Sequence, residues 1–228
     1  MKKKHVNRIL FLFLSIIECN CFALSQDEKV WLGINAKQTL TENWSTYIFS
    51  QMRFKSQSEL WQVGLIEGAI GYHFIKNQSF WVGYRWSGIN PFDGFYEENR
   101  FFQQFINALN IETSHQLVLR SRLEEIRRGN DSQISVRLRE RLSLQIENAS
   151  PSNNLKPYFY DEIFFQLHAT VYTTENLFDQ NRIFIGFNLF TSNKTWWEIG
   201  YLNQFQMKTP GESQNKMSHI VSFTYNLS

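Results

Sequence analysis

Residues 132–146 alternate with a period of two, and this constrains the fold more tightly than any other feature of the chain. Gln133, Ser135, Arg137, Arg139, Arg141, Ser143 and Gln145 fall on one parity. Ile134, Val136, Leu138, Leu142, Leu144 and Ile146 fall on the other, and Glu140 is the exception. On a helix, steps of about 100° would place Arg137 and Arg141 on one side and Arg139 almost opposite, leaving no continuous basic or apolar stripe. On a strand, alternate side chains point to opposite faces, so three arginines share one face and branched aliphatics the other. A basic helix aimed at nucleic acid is therefore excluded for this segment. Glu140 is expected at a bulge or near an interface.

Other segments repeat the pattern. In 117–126, Leu117, Leu119 and Leu123 oppose Arg120, Arg122 and Glu124; in 80–88, Phe80, Val82, Tyr84 and Trp86 oppose Gly83 and Arg85. In 181–190, Ile183, Ile185, Phe187 and Leu189 oppose Arg182 and Asn188. The last candidate strand, 217–227, sets His219, Val221, Phe223, Tyr225 and Leu227 against Ser218, Ser222, Thr224 and Asn226, with Ile220 out of phase. Candidate strands cover 30–38, 44–54, 60–75, 80–88, 98–111, 117–126, 132–146, 157–169, 181–190, 196–207 and 217–227. Short turn-forming connections largely alternate with longer ones, 147–156 being long on the short side.

Short turns on one side and long loops on the other mark a transmembrane barrel. A soluble barrel would bury the apolar faces; here those faces suit lipid, and the charged faces suit a lumen. The predicted fold is therefore all-β, an antiparallel up-and-down transmembrane β-barrel of 10–12 strands. Even numbers are the rule for single-chain bacterial barrels. The eleven candidates thus imply ten strands, with 30–38 incomplete or folded inward, or twelve, with one more to be found.

In a narrow lumen, long side chains meet across the axis. A network of Arg85, Arg100, Arg120, Arg122, Arg137, Arg139, Arg141 and Arg182 with Glu67, Glu124, Glu162 and Glu198 is expected there, because an unpaired buried charge is costly. Such a network would form a structural salt-bridged plug, or a narrow anion-favouring, porin-like pore. Trp44, Trp61, Trp81, Trp86, Tyr158, Trp196 and Trp197 lie near strand ends and are expected to form two interfacial aromatic belts. In "FDQNR" (178–182), Arg182 is expected at a lumen mouth, with Asp179 and Asn181 shaping the loop.

Residues 1–23 read as a signal peptide. Lys2, Lys3, Lys4 and Arg8 precede an apolar Ile9–Ile17 core, and Cys21 and Ala23 are small residues at cleavage spacing. The remaining domain, 24–228, would be a bacterial outer-membrane barrel of a Gram-negative envelope. Without the leader the chain is close to neutral and has no cysteine, since Cys19 and Cys21 both lie within it. Near-neutrality argues against a nucleic-acid binder, which would want a concentrated positive face. Expected partners are membrane lipid, lipopolysaccharide and the outer-membrane insertion machinery, with no nucleic acid, and the chain is expected to be a monomer.

The strings "EENRFFQQ" (97–104), "RSRLEEI" and "SVRLRERLSL" (120–144), "DEIFFQL" (161–167), "FDQNRIFIGF" (178–187), "EIGYLNQF" (198–205) and "SHIVSFTYNL" (218–227) resemble the domain-of-unknown-function 2490 family. The resemblance implies an uncharacterized outer-membrane β-barrel. It brings no established activity and no catalytic residue.

No Gly-x-Ser-x-Gly motif or metal-ligand spacing appears, so no catalytic residue, metal or cofactor is expected. The alternative of a lipid-modifying hydrolase would need a Ser–His pair. Ser218 and Ser222 have opposite parity to His219, which argues against that pair. A soluble secreted lipid-binding barrel fits less well, because it would hide the aliphatic faces that the pattern turns outward.

Overall fold

In the computed structural model, described over residues 24–55, 61–90, 94–111, 115–129, 131–147 and 154–228, the chain forms one closed barrel of eleven strands. The expected leader, 1–23, lies outside the described residues. The strands are β1 (Leu24–Thr39), β2 (Trp44–Lys55), β3 (Trp61–Ile75), β4 (Gln78–Ile89), β5 (Tyr96–Ile111) and β6 (His115–Arg128). They continue with β7 (Ser135–Ile146), β8 (Leu155–His168), β9 (Phe178–Ser192), β10 (Thr195–Gln206) and β11 (Asn215–Leu227). Each strand pairs antiparallel with its sequence neighbours.

The expectation of an even strand number is corrected. Residues 30–38 belong to a full strand, and no twelfth strand occurs among the described residues. In an up-and-down sheet of eleven strands the first and last run in the same direction, so the ring closes through a parallel pair. Leu24 stands opposite Asn215 and Ala36 opposite Leu227. A parallel ladder still pairs backbone donors with acceptors, though less favourably per residue than an antiparallel one.

The barrel is inverted relative to a soluble one. Ile34, Ile48 and Ile185 are 56, 58 and 55% exposed on the outer wall, whereas Glu124 inside is 0% exposed. Glu140 does not sit at a bulge, as the irregularity of the β7–β8 pair falls between Val136 and Arg137. Glu140 lies on the outer face and accepts a 2.7 Å hydrogen bond from Ser121 Oγ. Asp161, also outward, accepts one of 2.6 Å from Asn181 Nδ2.

Two apolar clusters pack within the interior. Trp81 and Phe102 form one buried cluster, and Trp31, Tyr158, Phe184, Leu202 and Ile220 another. Two glycines admit the first pair. A Cβ on Gly71 would stand 2.2 Å from the Trp81 ring, and one on Gly83 2.3 Å from Phe102. Close approach of a ring to the backbone is what requires glycine in these strands.

Gly71→Ala is therefore expected to destabilise the barrel by about 1–3 kcal/mol through overpacking against Trp81. Gly68→Ala, whose Cβ meets only a backbone oxygen at 4.0 Å, serves as the matched control and should be near neutral. Urea unfolding of the two refolded variants in detergent checks the difference.

Candidate functional site in the barrel lumen

Arg137, Arg139 and Arg141 all point inward from β7, as their shared parity requires, and the adjacent strands supply the carboxylates. Glu124 on β6 is the centre. It accepts from Arg139 Nη1 at 2.6 Å, Arg137 Nη2 at 2.7 Å and Arg100 Nη1 at 3.2 Å. Glu67 on β3 accepts from Arg85 Nε at 2.7 Å and from both Arg122 Nη groups at 3.0 Å. The Tyr47 hydroxyl donates to the same carboxylate at 2.5 Å. Glu162 on β8 accepts from Arg139 at 2.8 and 3.1 Å and from Arg120, while Arg182 stands at 3.9 Å. Paired forks of this kind are the strong form of the interaction.

Several of these bonds reach past the neighbouring strand. Besides Gln104 of adjacent β5 at 2.8 Å, Arg122 on β6 reaches Glu67 of β3 and the Tyr47 hydroxyl of β2 at 3.2 Å. Arg137 on β7 reaches Asp179 of β9 at 3.2 Å. Arg137, Arg139 and Arg182 also lie within 5.0 Å of one Phe164 ring. Together they form a belt across the barrel at mid-height.

A chamber lies on each side of this belt. The upper one, of about 390 Å³, opens toward the long connections; the lower one, of about 460 Å³, opens toward the short turns. Trp31, Arg53, Arg85, Arg139 and Arg182 line both, so they stand at the divide. The 169–177 connection folds over the upper mouth. There the Tyr172 hydroxyl donates to the carbonyls of Gln133 at 3.0 Å and Ile126 at 3.2 Å, and Thr174 is buried. Arg128 sits between the rings of Tyr96 and Tyr172, at 4.6 and 4.7 Å, beside Glu98.

The lumen residues named from sequence separate into two groups. Glu67, Arg85, Arg100, Arg120, Arg122, Glu124, Arg137, Arg139, Glu162 and Arg182 converge in the belt. Arg141 and Glu198 stand apart in the lower chamber. Arg141 donates to the Tyr158 hydroxyl at 2.8 Å and stacks on Tyr160, and Glu198 has no cation within 4.0 Å among the described residues. The expectation of Arg182 at a mouth is corrected: it lies at the divide, with Asp179 inside and Asn181 outside.

The aromatic set also needs correction. Trp44, Trp61, Trp86 and Trp197 lie on the outer wall, but Trp81 and Tyr158 are interior, and Trp196 lines the lower chamber against Phe190. Nearness to a turn groups them; parity within the strand separates them, except at Trp61, which shares the parity of Glu67 and is turned outward where the β2–β3 register shifts. Trp31, Arg53, Tyr47 and Glu98 were missed, although each sits on the inward parity of its strand. On the last strand, Ser218 and Ser222 point inward while His219 points outward to Tyr201, at 2.5 Å from its hydroxyl. No Ser–His pair forms there.

Comparison with known proteins adds two observations. A family model described as "Protein of unknown function (DUF2490)" matches residues 28–215. An uncharacterized protein of Methylorubrum extorquens is 30% identical over 107 residues, covering 47% of this chain and 47% of that protein. The match thus spans about half the length of that curated relative.

Removing the central carboxylate should be far more damaging than removing a peripheral one. Glu124→Gln, which removes the charge that Arg100, Arg122, Arg137 and Arg139 share and leaves the buried network one negative charge short, is expected to cost about 3–5 kcal/mol. Glu212→Gln, which breaks the part-exposed loop pair with Lys216, should cost less than about 1 kcal/mol. Equilibrium unfolding of both variants measures the contrast.

Proposed function

Since the chain belongs to the DUF2490 family, whose description assigns no activity, we propose a role from geometry: an integral outer-membrane β-barrel closed at mid-height by its arginine–carboxylate belt. The observation that carries this reading is the set of interior bonds from Arg122 to Glu67 and from Arg137 to Asp179, which join strands three and two places apart around the ring. Side chains that reach past their neighbouring strands in this way occupy width that an open diffusion channel would need. The outward aliphatics support residence in lipid, because a closed barrel is one of the two structures whose backbone is satisfied in a bilayer. Glu140 and Asp161 on the outer wall are hydrogen-bonded to neighbours, and acidic groups there cost less than basic ones. The role is structural, a rigid cylinder presenting its long connections on one membrane face.

A narrow anion-favouring pore is the second reading. It draws support from the two chambers and from the inward arginines, which outnumber the carboxylates facing them. Rings of cationic side chains select anions where a path exists.

Three measurements test these readings. The protein should fractionate with outer membranes and show heat-modifiable gel mobility; recovery as a soluble periplasmic protein would sink the membrane reading. A membrane-impermeant maleimide should label Lys194→Cys and Ser213→Cys from opposite sides. In planar bilayers the wild type should conduct at least about tenfold less than a general porin. Anion-selective steps of porin size would replace the closed reading with the pore.

A further inference from the structure

The belt leaves a gap in its own charge pairing at the divide. Arg53 donates its Nε to Gln51 at 2.7 Å and stacks 4.0 Å from the centre of the Trp31 ring, but no carboxylate lies within 4.0 Å of it among the described residues. Arg182 donates to Gln204 at 3.1 Å and lies 5.2 Å from the same ring. Its nearest carboxylate, Glu162 at 3.9 Å, already binds Arg120 and Arg139. The Trp31 indole N–H, on a side chain only 5% exposed, has no acceptor. Arg53, with no carboxylate in reach, Arg182, held by amides and by a shared carboxylate at 3.9 Å, and a buried donor thus gather on one ring, at the wall common to both chambers.

Burial makes this arrangement costly as it stands. Like charges repel more strongly away from bulk water, and a buried donor without a partner costs about 1–3 kcal/mol. A bound anion would answer both. Carboxylates elsewhere in the upper chamber are already engaged: Asp27 with Lys55 at 2.8 Å, Asp179 with Arg137, and Glu98 with Arg100 at 2.7 Å. A chamber of about 390 Å³ leaves room for a small hydrated ion beside them.

We propose that Trp31, Arg53 and Arg182 form a binding site for a tetrahedral oxyanion of the phosphate or sulfate class. Planar guanidinium forks match such oxygens in pairs, and the buried indole N–H belongs to the ring that both cations flank. The site is distinct from the closing role of the belt and does not depend on where the barrel resides. A free inorganic ion and the phosphate group of a lipid or sugar share this chemistry.

The test compares purified barrel in sodium phosphate, in sodium sulfate and in sodium chloride at matched ionic strength. Thermal unfolding midpoint and intrinsic tryptophan fluorescence are the readouts. Phosphate or sulfate should raise the midpoint and change the emission saturably, where chloride does not. Trp31→Phe, which keeps the ring and loses the donor, should weaken binding roughly tenfold. Arg53→Gln combined with Arg182→Gln should abolish the response, with heat-modifiable mobility reporting that the variant is folded. If that double variant fails to fold, Arg53→Lys, which keeps the charge and loses the fork, replaces it and should also bind roughly tenfold more weakly. Addition of glycerol phosphate or of phosphatidic acid in mixed micelles separates a free organic phosphate from a lipid source. Identical midpoints in phosphate, sulfate and chloride for the wild type would overturn the proposal. So would an undiminished response in the variants.

Discussion

The parallel ladder between β1 and β11 is the constraint on which the rest of the structure depends. It turns an open meander into a ring and removes the two exposed edges that a sheet of eleven strands would otherwise present. Once closed, the sheet separates an inside from an outside, and the alternation of each strand assigns every side chain to one of them. The charges assigned to the inside have little water and must satisfy one another. Glu124, wholly buried and met by four arginines, is the outcome of that requirement.

The interior solves its packing in two ways along the axis. In the two apolar clusters, aromatic rings seat against glycines, as Trp81, Phe102 and Phe184 do. At mid-height the filling is ionic. Replacement of a buried ion-pair network by apolar residues is often neutral or stabilising, so stability alone does not account for the arginines. Their directional forks fix which strands face which across the lumen, as Arg122 does in holding β6 against β3 and β2.

Much of this was legible in the residue pattern, because a period of two reports directly on face. All eleven strands overlap the segments that alternation marked, although β1 starts at Leu24 instead of residue 30 and β7 at Ser135 instead of residue 132, and the inward arginines of β6 and β7 follow from parity alone. Parity also held information that nearness to turns obscured. Trp81 shares the face of Arg85, and Tyr158 that of Glu162, so both belong inside. What alternation does not encode is stagger. Whether Arg122 meets Glu67 or another carboxylate depends on how far each strand slides relative to the next from β3 to β6, a sum of three registers that no single strand carries. The odd strand count escaped for a related reason, since ring closure is a property of the assembled sheet.

The seam also has a consequence for how the barrel comes into being. Each antiparallel pair joins strands that follow one another along the chain, so those contacts form across short loops. The seam instead brings Leu24 to Asn215, residues at nearly opposite extremes of the described chain. Contacts of high sequence separation are slow to form, because loop entropy is lost before they repay it. The seam is thus the natural last event in assembly, and until it forms the arginines of the lumen keep access to water. Closure and desolvation of the belt become a single step, in which an ill-matched network would be felt at once as a barrier to completing the ring.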